Sequence, residues 1–394
     1  MSLGSVLHRG LDAARDIDRR VGHHAGRRRI LVDGRTPVNF TMVAPVCRAM
    51  RHDPRVQFYF TASDEPRRLR DIYRDAGDVD LIPPSRAALR RFDVYLASDF
   101  MWTSLPRGTC RIQMFHGVGG KYGFDAPTTS MRDWDRLFFV NERRLCNFII
   151  AGAIDRTSPA IRLVGMPKVD CLVDGTWQRQ AVLESLGLDP SRPTVLYAPT
   201  WSPASSLNAI GPELIAGLLD RPINLIVKLH DRSRDLRERY SGGVDWVARL
   251  QPMLEGRRGV LAPGHDISPY LVAADLMITD HSSAGFEFLL LDRPLVRIHR
   301  PALLRLANVH PDYVDLLASV AESTDTTADT VKTVDRALAD PSRHSSARRA
   351  VAKDLFYRPG GATARAVREL YDAIELEPMP VRPAPDEVTC QPSA

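Results

Sequence analysis

One rhythm constrains this chain more than any other feature. From residue 30 onward, short apolar runs alternate with stretches of helical periodicity, and each run has the length of a buried strand. The runs fall at 30–32, 57–60, 94–97, 112–115, 137–140 and 161–164, with helices predicted over 40–51, 65–76 and 143–153. Periodicity lapses over 169–176, which reads as a linker. It resumes with strands at 194–198, 224–229, 259–262, 276–279 and 295–299, and helices at 178–186, 212–219, 246–255, 267–273, 282–291 and 328–339. A strand followed by a helix, repeated, is the requirement of a doubly wound parallel sheet. Two such sets predict an α/β protein of two Rossmann-like domains, 1–172 and 173–345, facing across a cleft. Helices over 348–356 and 362–376 form a closing segment, 346–376, that braces the domains. The Pro-rich tail, 377–394, is expected to be disordered.

Size and charge agree with this division. A chain of 394 residues exceeds what one hydrophobic core organises. Residues 1–120 hold 20 Arg against 13 Asp and Glu, so the basic surplus is N-terminal. Within it, Val6, Leu7, Leu11, Ala14, Ile17 and Val21 recur at helical spacing with Arg9, Arg15, Arg19 and Arg20 between them, and Arg27, Arg28 and Arg29 follow. Residues 5–29 therefore suit either an anionic membrane surface or a helix packed on its own domain. No apolar run nears the roughly 20 residues of a membrane span, and the first ten residues lack a signal-peptide core. The cysteines (47, 110, 146, 171 and 390) show no metal or redox spacing, so a cytoplasmic setting without structural metal is expected. The basic surplus is local and has no aromatic stripe beside it, which argues against nucleic acid. Of 53 basic residues only Lys121, Lys168, Lys228, Lys332 and Lys353 are lysine.

Ligands of open parallel sheets bind beyond the carboxyl ends of the strands, and four segments place polar residues there. In QMFHGVGGKYG, His116 ends a strand and Gly117, Val118, Gly119, Gly120 and Lys121 follow. The histidine can take a proton from a hydroxyl, and the glycines let the backbone approach an oxyanion. In VLYAPTW, Pro199 stops a strand and leaves Thr200 and Trp201 at its tip, although a tryptophan there also suits a core. In LIVKLH, Lys228 and His230 flank Leu229 on one face, roughly 7 Å apart, a grip for a diphosphate or a charged surface end. In LMITDHSSAGFEF, Ser282 and Ser283 open a helix, either as a cap or as an anion site, with Glu287 on the same face as Ser283.

In order along the chain, these segments resemble the CDP-glycerol glycerophosphotransferase family of teichoic-acid primases and polymerases. The family pattern runs HG-x-P…K-x-x-G, G-x-P-R-x-D, Y-A-P-T-W-R, K-x-H and T-D-Y-S-S…F-D-F. Here it stands as His116–Gly117 with Lys121, GMPKVD at 165–170, YAPTWS at 197–202, KLH at 228–230 and TDHSSAGFEF at 279–288, with an echo in GGATARAVREL at 360–370. The resemblance implies a GT-B fold and a metal-independent, cofactor-free transfer. An acceptor hydroxyl attacks the β-phosphorus of CDP-glycerol or a related CDP-alcohol, and CMP leaves. It makes His116 the general base and places the glycine loop by the transferred group. Lys168, Lys228 and His230 would neutralise the diphosphate, with Thr200 and Trp201 lining the cleft. Ser282 and Ser283 would hold phosphate and Glu287 a ribose. Proline is absent after HG-x, Lys168 replaces arginine, Ser202 replaces arginine, His281 replaces tyrosine and Glu287 replaces aspartate.

The leading expectation is a peripheral cytoplasmic enzyme that moves glycerol phosphate, or a related polyol phosphate, to an envelope glycan or lipid-linked acceptor. A GT-B sugar transferase or nucleotide-sugar epimerase would share the cleft and bind a UDP-sugar instead. A non-catalytic nucleotide- or polymer-binding protein would not need His116.

Overall fold

The computed structural model describes residues 3–101, 108–119, 131 and 133–379. Two parallel sheets organise them. The first has seven strands: β1 (Arg28–Asp33), β2 (Val56–Thr61), β3 (Asp80–Leu81), β4 (Val94–Ala97), β5 (Cys110–Met114), β6 (Arg136–Phe139) and β7 (Ile161–Leu163), in the order 3-2-1-4-5-6-7. The second has six: β8 (Thr194–Tyr197), β9 (Asn224–Val227), β10 (Gly259–Leu261), β11 (Leu276–Thr279), β12 (Leu295–Ile298) and β13 (Glu322–Thr324), in the order 10-9-8-11-12-13. In each sheet the strand order reverses between the first-formed strand and the fourth, β1/β4 and β8/β11. Ligand crevices of doubly wound sheets form at such a point.

Central strands are apolar because helices cover both their faces. Val94, Tyr95, Leu96 and Ala97 are completely buried, as are Val195, Leu196 and Tyr197. The same reason explains the two strands absent from the sequence reading. β3 is a two-residue exposed edge and β13 is Glu-Ser-Thr, so neither carries an apolar run. The predicted helix over 65–76 is three short turns, Pro66–Arg68, Leu69–Ile72 and Arg74–Ala76. Tyr73 turns inward there, and its hydroxyl donates to the Thr61 carbonyl at 2.7 Å. Helix Ser206–Leu219 begins a turn and a half before the expected position and contains Pro212, which the sequence reading took for its start. Helices Pro301–Leu306 and Pro311–Val320 were missed; each opens on proline at its first position. The expected linker is in part a buried 3-10 turn, Pro167–Leu172, whose period of three conceals it from a helix or strand search.

The first helix, Leu3–His24, docks by its polar face. Arg15 donates to the Ala88 carbonyl, Arg19 to that of Gly108 at 3.1 Å, and His23 meets Asp93 at 2.6 Å. Asp16 and Asp18 pair with Arg91 and Arg29. Ile17 and Val21 consequently face solvent, each 63% exposed.

The closing helices engage both domains. Arg348, in helix Ser345–Leu355, donates to Asp292 of the second domain at 3.0 Å, while Asn141 of the first donates to the Leu355 carbonyl at 2.9 Å. Helix Ala362–Ala373 lies on the first sheet, where Ala366, Leu370 and Tyr371 join the core beside Ile30 and Val94. Its N-terminus is held by Asp170, whose carboxylate accepts from the backbone N–H groups of Gly360 (2.7 Å), Ala362 (3.2 Å) and Thr363 (2.7 Å). The aspartate of GMPKVD and the GGAT segment, far apart in sequence, form one unit.

Candidate active site

Between the two sheets lies a cavity of about 490 Å³. Its wall contains residues of all four strand-end segments: His116, Gly117 and Gly119; Thr200 and Trp201; Lys228, Leu229 and His230; Ser282, Ser283 and Glu287, with Lys168 beside them. Gly120 and Lys121 lie outside the described residues. Val118 does not line the cavity. It is buried, and its carbonyl accepts from the Tyr313 hydroxyl at 3.1 Å.

His116 follows β5, and its Nδ1 lies 2.5 Å from the Ser98 carbonyl oxygen, at the end of β4. A carbonyl only accepts, so Nδ1 carries the proton and Nε2 keeps its lone pair in the neutral ring, the tautomer a base needs. His230 is held in the opposite tautomer: its Nδ1 accepts from the Arg232 backbone N–H at 3.1 Å, which leaves the proton on Nε2. The two histidines are thus held in opposite tautomers, with Nε2 unprotonated in His116 and protonated in His230.

Gly117 allows the two domains to meet closely. Its φ is +71°, and a Cβ there would stand 3.1 Å from Ser283 Oγ of the second domain. Ser282 caps helix Ser283–Phe288, its Oγ accepting from the Ala284 N–H at 3.3 Å, which favours the cap over the anion role for that hydroxyl.

Lys168 and Glu287, assigned by resemblance to diphosphate and ribose, are partners of each other. Lys168 Nζ donates to Glu287 Oε2 at 2.6 Å, and both side chains are buried. Burial alone would lower the lysine pKa, but Glu287 and then Asp266 outweigh it and hold the ammonium above its ordinary value. Lys228 differs. Its Nζ donates to the Gly264 carbonyl at 2.6 Å, and burial, opposed by Asp231, lowers its pKa to about 8.

Asp280, unassigned in the sequence reading, organises the second domain's tip. Its carboxylate accepts from the N–H groups of Thr200 (2.8 Å), Ser206 (2.9 Å) and His281 (2.9 Å). Thr200 and Trp201 are thereby fixed at the cleft, where Arg232 lies 4.5 Å over the Trp201 ring. His281, which stands where the family pattern has tyrosine, is buried outside the cavity against Phe286.

Several cavity residues escaped the sequence reading: Arg35, Asn39, Ser98, Gln113, Arg144, Asp231, Arg232 and His265. Arg35 and Ser98 follow β1 and β4, so the strand-end rule applied to the first sheet would have found them. Asp231 and Arg232 continue KLH, and Asp231 Oδ1 meets His265 Nδ1 at 2.6 Å. Arg144 gave no signal. It is buried on helix Glu142–Ile150 with its guanidinium 4.4 Å over Phe115, a contact between segments distant in sequence.

The family model for CDP-glycerol:poly(glycerophosphate) glycerophosphotransferase matches residues 55–372. No curated protein sequence matches the chain. Among solved structures, the wall teichoic acid polymerase TagF superposes with a TM-score of 0.67 at 15% identity, over 95% of this chain and 96% of that one. A TagF variant soaked with CDPG gives 0.62 at 14% identity, over 95% of each chain. A putative UDP-N-acetylglucosamine 2-epimerase from Listeria monocytogenes gives 0.57 at 14% identity, over 89% of this chain and 97% of that one. At such identities these structures establish the shared GT-B-like, two-domain fold. The family match covers most of the chain and takes in the whole of the cleft except Arg35, Thr36 and their neighbours before residue 55, so this protein belongs to the CDP-glycerol:poly(glycerophosphate) glycerophosphotransferase family of enzymes.

Proposed function

We propose that the protein transfers glycerol phosphate, or a related polyol phosphate, from a CDP-linked donor to a hydroxyl of an envelope glycan or lipid-linked acceptor. The observation that carries this reading is the tautomer of His116, whose Nδ1–H is committed to the Ser98 carbonyl and whose lone pair is therefore on Nε2, in a cleft with Lys228 and His230 in its wall. The acceptor oxygen forms a bond to the β-phosphorus as the bond from that phosphorus to the bridging oxygen breaks. The hydroxyl proton passes to His116 Nε2, and CMP leaves with the bridging oxygen and its electron pair. Negative charge on the transferring group is met by the Lys228 ammonium and the His230 Nε2–H, so catalysis works by positioning and electrostatics. Neutralisation is assigned to these side chains rather than to a metal ion.

The same proposal sets the enzyme on the inner face of an anionic membrane. None of the described helices is long and apolar enough to cross a bilayer. The outward Ile17 and Val21 of the first helix, with Arg20 between them, support contact with a lipid surface.

The test is CMP release from CDP-glycerol and CDP-ribitol with candidate lipid-linked acceptors. His116→Ala should lower kcat by about 10²–10⁴-fold while the melting temperature holds. A variant that turns over like the wild type would remove His116 from the chemistry. Tight UDP-sugar binding without CDP-alcohol turnover would favour the epimerase-like alternative.

A further inference from the structure

Gln113 stands apart from the paired polar side chains of the cleft. It sits near the end of β5, is 1% exposed, and lines the cavity. Its Oε1 is buried and has no hydrogen-bond partner among the described residues. A buried carbonyl oxygen left unpaired is uncommon and calls for a reason.

Its surroundings narrow the reason. Gln113 pairs in register with Ala97 of β4, and the next residue, Ser98, supplies the carbonyl that orients His116. The carboxamide is thus built into the strand pair that sets the base. Neighbouring polar side chains on this wall are engaged. Asn39 Nδ2 donates to Ser98 Oγ at 3.0 Å, Ser98 Oγ donates to the Asn39 carbonyl at 3.2 Å, and Asn39 Oδ1 accepts from the Thr36 N–H at 2.9 Å. Gln113 Oε1 accepts only, and it is neutral, so it suits a hydroxyl rather than a phosphate. The phosphate-gripping candidates, Lys228 and His230, belong to the other domain.

We propose that Gln113 is a specificity residue for the acceptor: its carboxamide oxygen accepts from the hydroxyl adjacent to the one that attacks, so the enzyme selects acceptors ending in a vicinal diol. This rests on the reading of His116 as the base. A site built to bond a substrate hydroxyl rejects the analogue that lacks it, because the buried partner is then left unpaired.

The experiment compares two oligo(glycerol phosphate) primers with CDP-glycerol as donor. One ends in a 2,3-dihydroxypropyl group. The other ends in 3-hydroxypropyl, which keeps a primary hydroxyl and lacks its neighbour. The wild type should prefer the diol primer by about tenfold or more in kcat/KM. Gln113→Leu and the length-matched Gln113→Met should bring that ratio near one by slowing the diol primer, with KM for CDP-glycerol unchanged and melting curves confirming the fold. A wild type without the preference overturns the proposal with no variant needed, as does a preference that survives in either folded variant. Absence of CMP release by the wild type with both primers would defeat the functional reading itself, and this proposal with it.

Discussion

Replacing Lys168 with methionine tests how the cleft is held together. The change keeps most of the side-chain volume and removes the charge that faces Glu287. At 2.6 Å and an effective dielectric of about 20, the attraction between the two groups amounts to about 6 kcal/mol. Dehydration of both offsets much of it, so the pair adds little net stability, whereas breaking it strands a buried carboxylate at a cost of about 3–5 kcal/mol. Lys168→Met should therefore lower the free energy of unfolding by about that amount, and Lys168→Met/Glu287→Leu should recover most of it. The loss should also depend on pH. Burial raises the Glu287 carboxyl above its ordinary pKa even with the lysine present. Without it, the folded state takes up a proton more readily than the unfolded chain, so the deficit is full at high pH and shrinks as pH falls through the raised pKa. Urea denaturation followed by tryptophan fluorescence at pH 5.5 and 8 measures both effects. If the single and double variants lose stability equally, with no pH dependence, the pair is not coupled and the reasoning fails.

Two further outcomes follow from other parts of the molecule. The Lys228 ammonium, with a pKa near 8, should hold the donor diphosphate below that pH and release it above, so KM for CDP-glycerol should rise as pH climbs through about 8; a flat profile up to pH 9.5 would take Lys228 out of the grip. Ile17→Glu/Val21→Glu should cut binding to phosphatidylglycerol vesicles by about tenfold or more, since two partly inserted aliphatic chains contribute roughly 1.5–3 kcal/mol each, and equal sedimentation of variant and wild type with the vesicles would count against the lipid contact.

The central strands were legible because burial on both faces leaves an uninterrupted apolar run, as at 94–97 and 276–279. β3 and β13 were not, because edge strands need no such run. Site residues were legible where a polar residue directly follows a strand: His116, Lys228, His230 and Ser283 all reach the cleft. What the sequence could not disclose was pairing. Lys168 and Glu287 each looked like a ligand group, and nothing in a linear reading joins positions 119 residues apart. Asp280 was visible only as the aspartate of TDHSS, without a role: its duty is to accept backbone N–H groups, which a linear reading does not reveal. His281 shows the limit of the rule, for it follows the same strand as Ser282 and Ser283, which line the cleft, and is itself buried outside it.

The Asp170 carboxylate has a mechanical consequence. The chain passes between the domains twice, once through Pro167–Leu172 and once on the way from helix Ser345–Leu355 to helix Ala362–Ala373. Asp170 belongs to the first passage and grips three N–H groups of the second, so the two crossings are pinned at a single point. A displacement that pulled the two crossings apart would have to break all three of these hydrogen bonds together, so the joint between the domains resists separation more strongly than either length of chain would alone.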